Sequence, residues 1–92
     1  MLTWDEPKRL ANIAEHGFDF VGVDAIFDGP VWSYEDDREA YGEQRINLVG
    51  WLNGRLMHLT YTDTDDGGTM RAISLRKAEK HEIRRYVQAI AR

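Results

Sequence analysis

The last quarter of the chain carries Arg71, Arg76, Lys77, Arg84 and Arg85, with Glu82 among them and Arg45 upstream. Guanidinium groups gathered on a sheet face can hold a phosphodiester and stabilise the extra charge of a pentacoordinate transition state. A His or Glu beside them can shuttle the proton of a ribose 2′-hydroxyl. RNA cleavage of this kind needs no metal. Arg71 and Arg76 are five residues apart. On a flat strand they point to opposite faces, and they share a site only if the strand twists, bulges or ends between them. Arg76 is the expected inward functional residue, with Ser74 and Ala72 on its face and Ile73 and Leu75 on the buried one. The plain alternative is that one arginine of the pair is a surface ion-pair partner.

Other chemistries find little support. His16, His58 and His81 match no compact metal motif such as H-E-x-x-H, and a lone His is more often a surface or satisfied residue. Asp63 to Gly68 superficially resembles a calcium loop, but Ser74 stands where a bidentate Glu is needed, so a solvated turn is expected. There is no G-x-S-x-G elbow, no phosphate-cradling Gly-rich loop and no G-x-G-x-x-G. Cysteine is absent, which excludes disulfides and thiol chemistry and suits a reducing cytosol. No metal and no cofactor are expected.

The elements that must position these residues are legible from capping and periodicity. Asp5 can cap a helix over Glu6 to His16, with Pro7 in the first turn, an apolar stripe of Leu10, Ile13 and Ala14, and Gly17 as the stop. Phe18 to Phe27 predicts a short second helix, ended by Asp28-Gly29-Pro30. Val31 to Tyr34 reads as a strand, and Glu35 to Glu43 as an exposed strand end and loop. Asn53-Gly54 suits a type I′ turn between strands Gln44 to Leu52 and Arg55 to Thr62. A two-residue loop fixes the register. Ile46, Leu48, Met57, Leu59 and Tyr61 then share a core face, while Trp51, Val49, His58, Asn47, Thr60 and Arg45 share a mixed, partly open one. Thr69 to Arg76 is a further strand. Ala78 to Ala91 is a last helix with Ile83, Tyr86, Val87 and Ile90 on its apolar side. Leu2 to Trp4 is a candidate short extra strand. The class is α+β, with two N-terminal helices, a mostly antiparallel four-stranded sheet and a C-terminal helix.

Ninety-two residues suit a single domain over 1–92, and a hydrophobic share of 42% is enough for one core. No apolar run approaches the ~18 residues of a membrane helix, and the acidic N-terminus is no signal peptide. Net charge is −4, which disfavours non-specific nucleic-acid binding. It is unevenly spread: residues 1–70 hold five Lys/Arg and fourteen Asp/Glu, net −9, whereas residues 71–92 hold seven and two, net +5. That quarter is either a local anion-attracting region or a solvated helix with basic residues where the helix dipole favours them.

Trp4-Asp5-x-x-Lys8, Asn12-x-x-x-His16-Gly17-Phe18, Gly42-Glu43-x-Arg45, Gly54-Arg55 and Arg71-x-Ile73-Ser74-x-Arg76-x-Ala78-x-x-x-Glu82 fall in one order over nearly the whole chain. That order resembles the BrnT toxins. The resemblance implies a RelE-like ribonuclease fold and a cytoplasmic endoribonuclease toxin that inhibits translation. It also implies a BrnA-like antitoxin with a ribbon-helix-helix DNA-binding domain, a heterotetrameric complex and repression of their shared operon, with DNA met only through the antitoxin. On the matched positions, Arg76 and Arg45 would hold the scissile phosphate and His16 would move the proton. Glu82 would orient His16 or act as the alternative base. Lys8 and Arg71 would be secondary phosphate contacts, with Ser74 in the same block. One departure is the acidic Thr62-Asp63-Thr64-Asp65-Asp66, where many relatives carry a basic residue. Exposed apolar surface near Trp51, Leu56 or Trp32 is where an antitoxin could lie. The competing reading is a non-catalytic module that only modulates a DNA-binding antitoxin; a small RNA-binding module is weakest, since no named RNA motif appears.

Overall fold

Asn53 and Gly54 both adopt positive φ, 53° and 82°, and close the central hairpin. The structure, a computed structural model, describes residues 2–37, 42–63 and 69–91. Strands β1 (Leu2–Thr3), β2 (Val31–Asp36), β3 (Arg45–Leu52), β4 (Arg55–Asp63) and β5 (Met70–Lys77) are joined by helices α1 (Glu6–His16) and α2 (Lys80–Ile90) and by a 3-10 helix at Val23–Asp28. The hairpin register is the expected one, from Leu52 opposite Arg55 to Arg45 opposite Thr62. The loop readings over Arg38–Tyr41 and Thr64–Gly68 lie outside the described residues.

The sheet has five strands, in the order β1-β5-β4-β3-β2. It is mixed rather than a four-stranded antiparallel sheet, because Leu2–Thr3 pairs parallel to Met70 and Arg71. Asp24 holds that short strand by accepting the Leu2 N–H at 2.9 Å.

The expected second helix is also corrected. Asp19 accepts the N–H of Val21 through its side chain, and Gly22 takes a left-handed φ of 84°. Both features favour a turn over helix propagation, so only Val23–Asp28 winds, as a 3-10 segment. α2 begins two residues later than expected because the Ala78 N–H still donates to the Leu56 carbonyl.

Two layers cover the sheet. Phe20, Val23 and Ile26 pack with Leu48, Met57, Leu59, Tyr61, Ala72 and Leu75 on one face. α2 lies against β2 and β3 on the other. That second face is therefore closed, not partly open as expected, over Asn47, Val49, His58, Thr60 and Thr62. Of the β3 and β4 residues on that face, only Trp51, toward the hairpin turn, stays about half exposed, at 51%. The covered polar residues satisfy one another in part: Thr60 donates to Asn47 Oδ1 at 2.7 Å.

Neither helix buries the whole stripe that its periodicity suggests, although Tyr86 of the α2 stripe is buried. On α1, Leu10 is 56% exposed, while Asn12 is buried. The reason is what α1 packs on. It lies along β5, where backbone groups need polar partners. Asn12 accepts the Leu75 N–H at 3.0 Å and donates to the carbonyls of Leu75 and Phe18 at 2.9 and 2.8 Å. On α2, Glu82 and Tyr86 point inward, and Ile83, Val87 and Ile90 remain 36%, 51% and 38% exposed.

Candidate functional site

A bulge in β5 places the site. Thr60 pairs with Ser74, yet Tyr61 pairs with Ala72, so Ile73 is an extra residue in the ladder. The extra residue reverses the alternation of side chains. Arg71 lies opposite Thr62, Ser74 opposite Thr60 and Arg76 opposite His58, and all three β4 partners share one face. Arg71 and Arg76 thus meet the bulge condition for a common face. Ala72 moves the other way: it joins the core with Leu75, not the face of Arg76.

Three rows then cross the covered face, read from β2 to β5. Trp32, Val49, His58 and Arg76 form the first; Tyr34, Asn47, Thr60 and Ser74 the second; Asp36, Arg45, Thr62 and Arg71 the third. The N-terminal turn of α2 sits over the first. Its capping box explains how: Glu79 accepts a backbone N–H of Glu82, and Glu82 Oε1 accepts the Glu79 N–H at 2.8 Å. This turns the Glu82 carboxylate down onto the sheet, where Arg76 Nη1 and Nη2 donate to its two oxygens at 2.8 and 2.9 Å. His58 Nε2 lies 3.5 Å from the same carboxylate. Both Glu82 and His58 are buried.

Burial alone would raise the Glu82 carboxyl. The Arg76 hydrogen bonds, the Glu79 N–H and the charges of His58 and Arg76 outweigh it and hold the group down at about 2. Arg76 is pushed up from its ordinary value, chiefly by the Glu82 hydrogen bonds against the opposing effect of burial. At neutral pH the pair is a carboxylate and a guanidinium. Glu82 is then a poor proton acceptor and a good orienter. The Arg76 pair is end-on, so these bonds leave the Nε–H and the second Nη2–H edge to face a further anion.

Arg76, Glu82 and His58 line a cavity of about 310 Å³ with Tyr34, Asn47 and His81. Four further carboxylates line it too, from Glu35, Asp36, Asp37 and Glu79. Glu79, His81 and Glu82 bring ligand atoms within 4.8 Å of one another. That closeness follows from the capping box, and the Glu82 oxygens are committed to Arg76 and to the Glu79 N–H, so the donor set does not fit a metal ion.

The other expected site residues fall elsewhere. Arg45 and Arg71 converge on Glu43, at 3.6 and 2.8 Å. Arg45 stands two strands and four residues from the level of Arg76, about 10 Å across the sheet and about 14 Å along it. Lys8, His16 and Ser74 line a different depression of about 240 Å³ at the seam of α1 and β5. There His16 Nε2 faces Glu15 at 3.8 Å. The imidazole that Glu82 approaches is His58, not His16. In the sequence His58 is a mid-strand histidine without a role in the expected site. The hairpin register already set it on the face of Asn47, Thr60 and Arg45, and a run of polar residues at mid-sheet was the available signal.

An α+β domain with its sheet covered on both faces, and with a half-buried arginine joined to a buried carboxylate and imidazole beneath a helix N-terminus, is the class defined by fold and site. The chain belongs to the BrnT family: the family model described as the ribonuclease toxin, BrnT, of type II toxin-antitoxin systems matches residues 4–82. No curated protein matches the sequence significantly. Membership makes the chain a ribonuclease toxin by family and implies a protein antitoxin as its partner. No helix among the described residues is long and apolar enough to cross a membrane.

Proposed function

We propose that the chain is a RelE-like endoribonuclease that cleaves RNA without a metal ion, inhibits translation in the cytoplasm and is neutralised by a BrnA-type ribbon-helix-helix antitoxin. On this reading the two form a heterotetramer that represses their operon, touching DNA through the antitoxin. The observation that carries the catalytic reading is the bridge made by Glu82 between Arg76 and His58 inside one cavity. Arg76 binds a non-bridging oxygen of the scissile phosphate with its uncommitted edge. His58 takes the proton of the 2′-hydroxyl at Nε2, since Nδ1 is shut off from solvent. The 2′-oxygen attacks phosphorus, the bond from phosphorus to the 5′-oxygen breaks, that oxygen takes a proton from solvent water, and a 2′,3′-cyclic phosphate remains. Glu82 stabilises the imidazolium and is not itself protonated. Proton transfer is therefore assigned to His58 in place of His16. Arg45 and Arg71, paired through Glu43, serve phosphates farther along the RNA, and Lys8, His16 and Ser74 form a separate contact.

One observation favours the second reading, a non-catalytic module that modulates its antitoxin. The cavity wall carries five carboxylates against Arg76, which repels a polyanion. Expression of the chain alone, beside Arg76→Ala, His58→Ala and His16→Ala, separates the two. Catalysis predicts growth arrest and RNA fragments with cyclic-phosphate ends for the wild type and His16→Ala, undiminished by chelator in the purified reaction. It predicts loss of both in Arg76→Ala and His58→Ala. Intact growth and intact RNA with a folded wild-type chain would leave only the modulator.

A further inference from the structure

Trp32 and Tyr34 are two apart on β2, so both side chains rise from the same face of an edge strand. Their rings are stacked, with centroids 4.7 Å apart and planes inclined by 32°. The pair is not core: Tyr34 is 37% exposed and Trp32 is half-buried. Large aromatics on an exposed edge offer a π-face to a ligand, and the cavity beside them shows where one fits. Trp32, Tyr34, His81, Glu82 and Arg85 enclose about 310 Å³, at the low end of small-molecule sites, ~300–1,000 Å³. Tyr34, His81 and Glu82 also line the cavity of Arg76 and His58, so the two are halves of one cleft.

The halves differ in chemistry. The Arg76 half is rich in carboxylates, whereas the aromatic half has Arg85 and His81 on its helical wall and Glu82, already paired, as its one acid. Neutral flat rings beside a guanidinium suit a nucleobase with its phosphate turned to the cation. Trp32 lies in the row of Arg76 but three strands away, about 14 Å. A base held there belongs to a nucleotide flanking the scissile linkage.

We propose that the stacked Trp32–Tyr34 pair, with Arg85, is a nucleobase-binding subsite that seats a flanking base of single-stranded RNA while Arg76 holds the scissile phosphate. This rests on the ribonuclease reading. It assigns recognition of the substrate to uncharged stacking, which an acidic cleft can sustain.

The test is fluorescence anisotropy with a labelled single-stranded hexamer of 2′-O-methyl ribonucleotides, which lacks the nucleophilic hydroxyl, and with the same hexamer made abasic. The wild-type chain should bind the hexamer about tenfold more tightly than its abasic form. Trp32→Ala and Tyr34→Ala should each weaken hexamer binding by about five- to tenfold, within the range of one base–aromatic stack, and leave abasic binding unchanged. Trp32→Phe keeps a stacking face and should bind within about twofold of the wild type. That variant, checked by circular dichroism, guards against loss of fold. Equal weakening of both oligomers, or none, overturns the subsite. So does unchanged hexamer binding in a Trp32→Ala chain that escapes its co-expressed antitoxin, which would make the pair a protein contact. Hexamer binding that Arg76→Ala does not alter strikes the ribonuclease reading itself, a result distinguishable from the others because it leaves the aromatic variants aside.

Discussion

Glu82 performs three tasks with one carboxylate: it caps α2, grips Arg76 end-on and faces His58. Its folded-state pKa of about 2 lies below its ordinary value of 4.5. A depressed carboxyl stabilises the fold above the unfolded pKa and loses that contribution as pH falls through the folded one. At pH 7 the ionised group therefore contributes about 3 kcal/mol. Glu82→Gln should unfold at lower denaturant than the wild type at pH 7, and the gap should close as pH falls from about 4.5 toward 2. A gap that stays constant across that window would mean that Glu82 acts only through its shape. Asn12 is the other residue whose removal is costly, because it substitutes for a neighbouring strand along β5. Asn12→Ala strands the Leu75 N–H and frees two carbonyls, a loss of about 2–3 kcal/mol by the usual penalty for buried unpaired groups. Thermal melts with and without the change should differ accordingly, while the Arg76 cavity, which Asn12 does not line, keeps its chemistry.

At the scale of elements, β3 and the 3-10 helix meet at Gly50. A Cβ there would lie 3.0 Å from Ile26 Cγ1 and 3.0 Å from Val31 Cγ1. Gly50→Ala should cost about 1–3 kcal/mol, since both neighbours are packed and one is fully buried. A neutral change in denaturation midpoint would show that this seam can give. The hairpin holding Gly50 was legible in full, because Asn53-Gly54 fixes a loop of two residues and that loop fixes every pair down to Arg45 and Thr62. The bulge at Ile73 was not legible, and it decides which arginines share a face. Nothing in Arg71–Arg76 marks it, since no Gly stands at the extra position. The helices are legible in place, but their inward faces only in part: Tyr86 is buried as its spacing suggests, while Leu10, Ile83, Val87 and Ile90 are not. Periodicity finds an apolar stripe, whereas the surfaces they meet call for polar contacts: Asn12 for a strand edge, Glu82 for an arginine. The Arg76–Glu82 part of the site was thus visible as residue types. Its partner His58 required knowing that α2 closes over the second face.

At the scale of the whole molecule, charge is divided along the chain, net −9 over residues 1–70 and +5 over residues 71–92. Folding does not mix the two evenly. Arg45 and Arg71 are drawn to Glu43, Arg9 to Glu6 and Asp19, and Arg76 to Glu82, so several guanidinium groups already face carboxylates. Among the cations outside these pairs are Arg84 and Arg85 on α2, and Arg85 lines the aromatic half of the cleft. Affinity for single-stranded RNA falls with salt by about 0.7 logarithmic units per decade for each phosphate neutralised. With the Arg76 edge and Arg85 as the two contacts of a hexamer, and Arg45, Arg71 and Lys8 met only by a longer RNA, the slope should be about −1.4, shallow for a nucleic-acid enzyme. Titration of the 2′-O-methyl hexamer between low and moderate salt measures it directly. Arg85→Gln should flatten the slope by about 0.7 and leave the base-dependent part of binding in place. A slope steeper than about −3 would require four or more engaged cations, and the ion pairs at Glu43 would then have to open when RNA binds. A shallow slope means that the acidic body of the toxin is tolerated because stacking, not charge, supplies most of the grip.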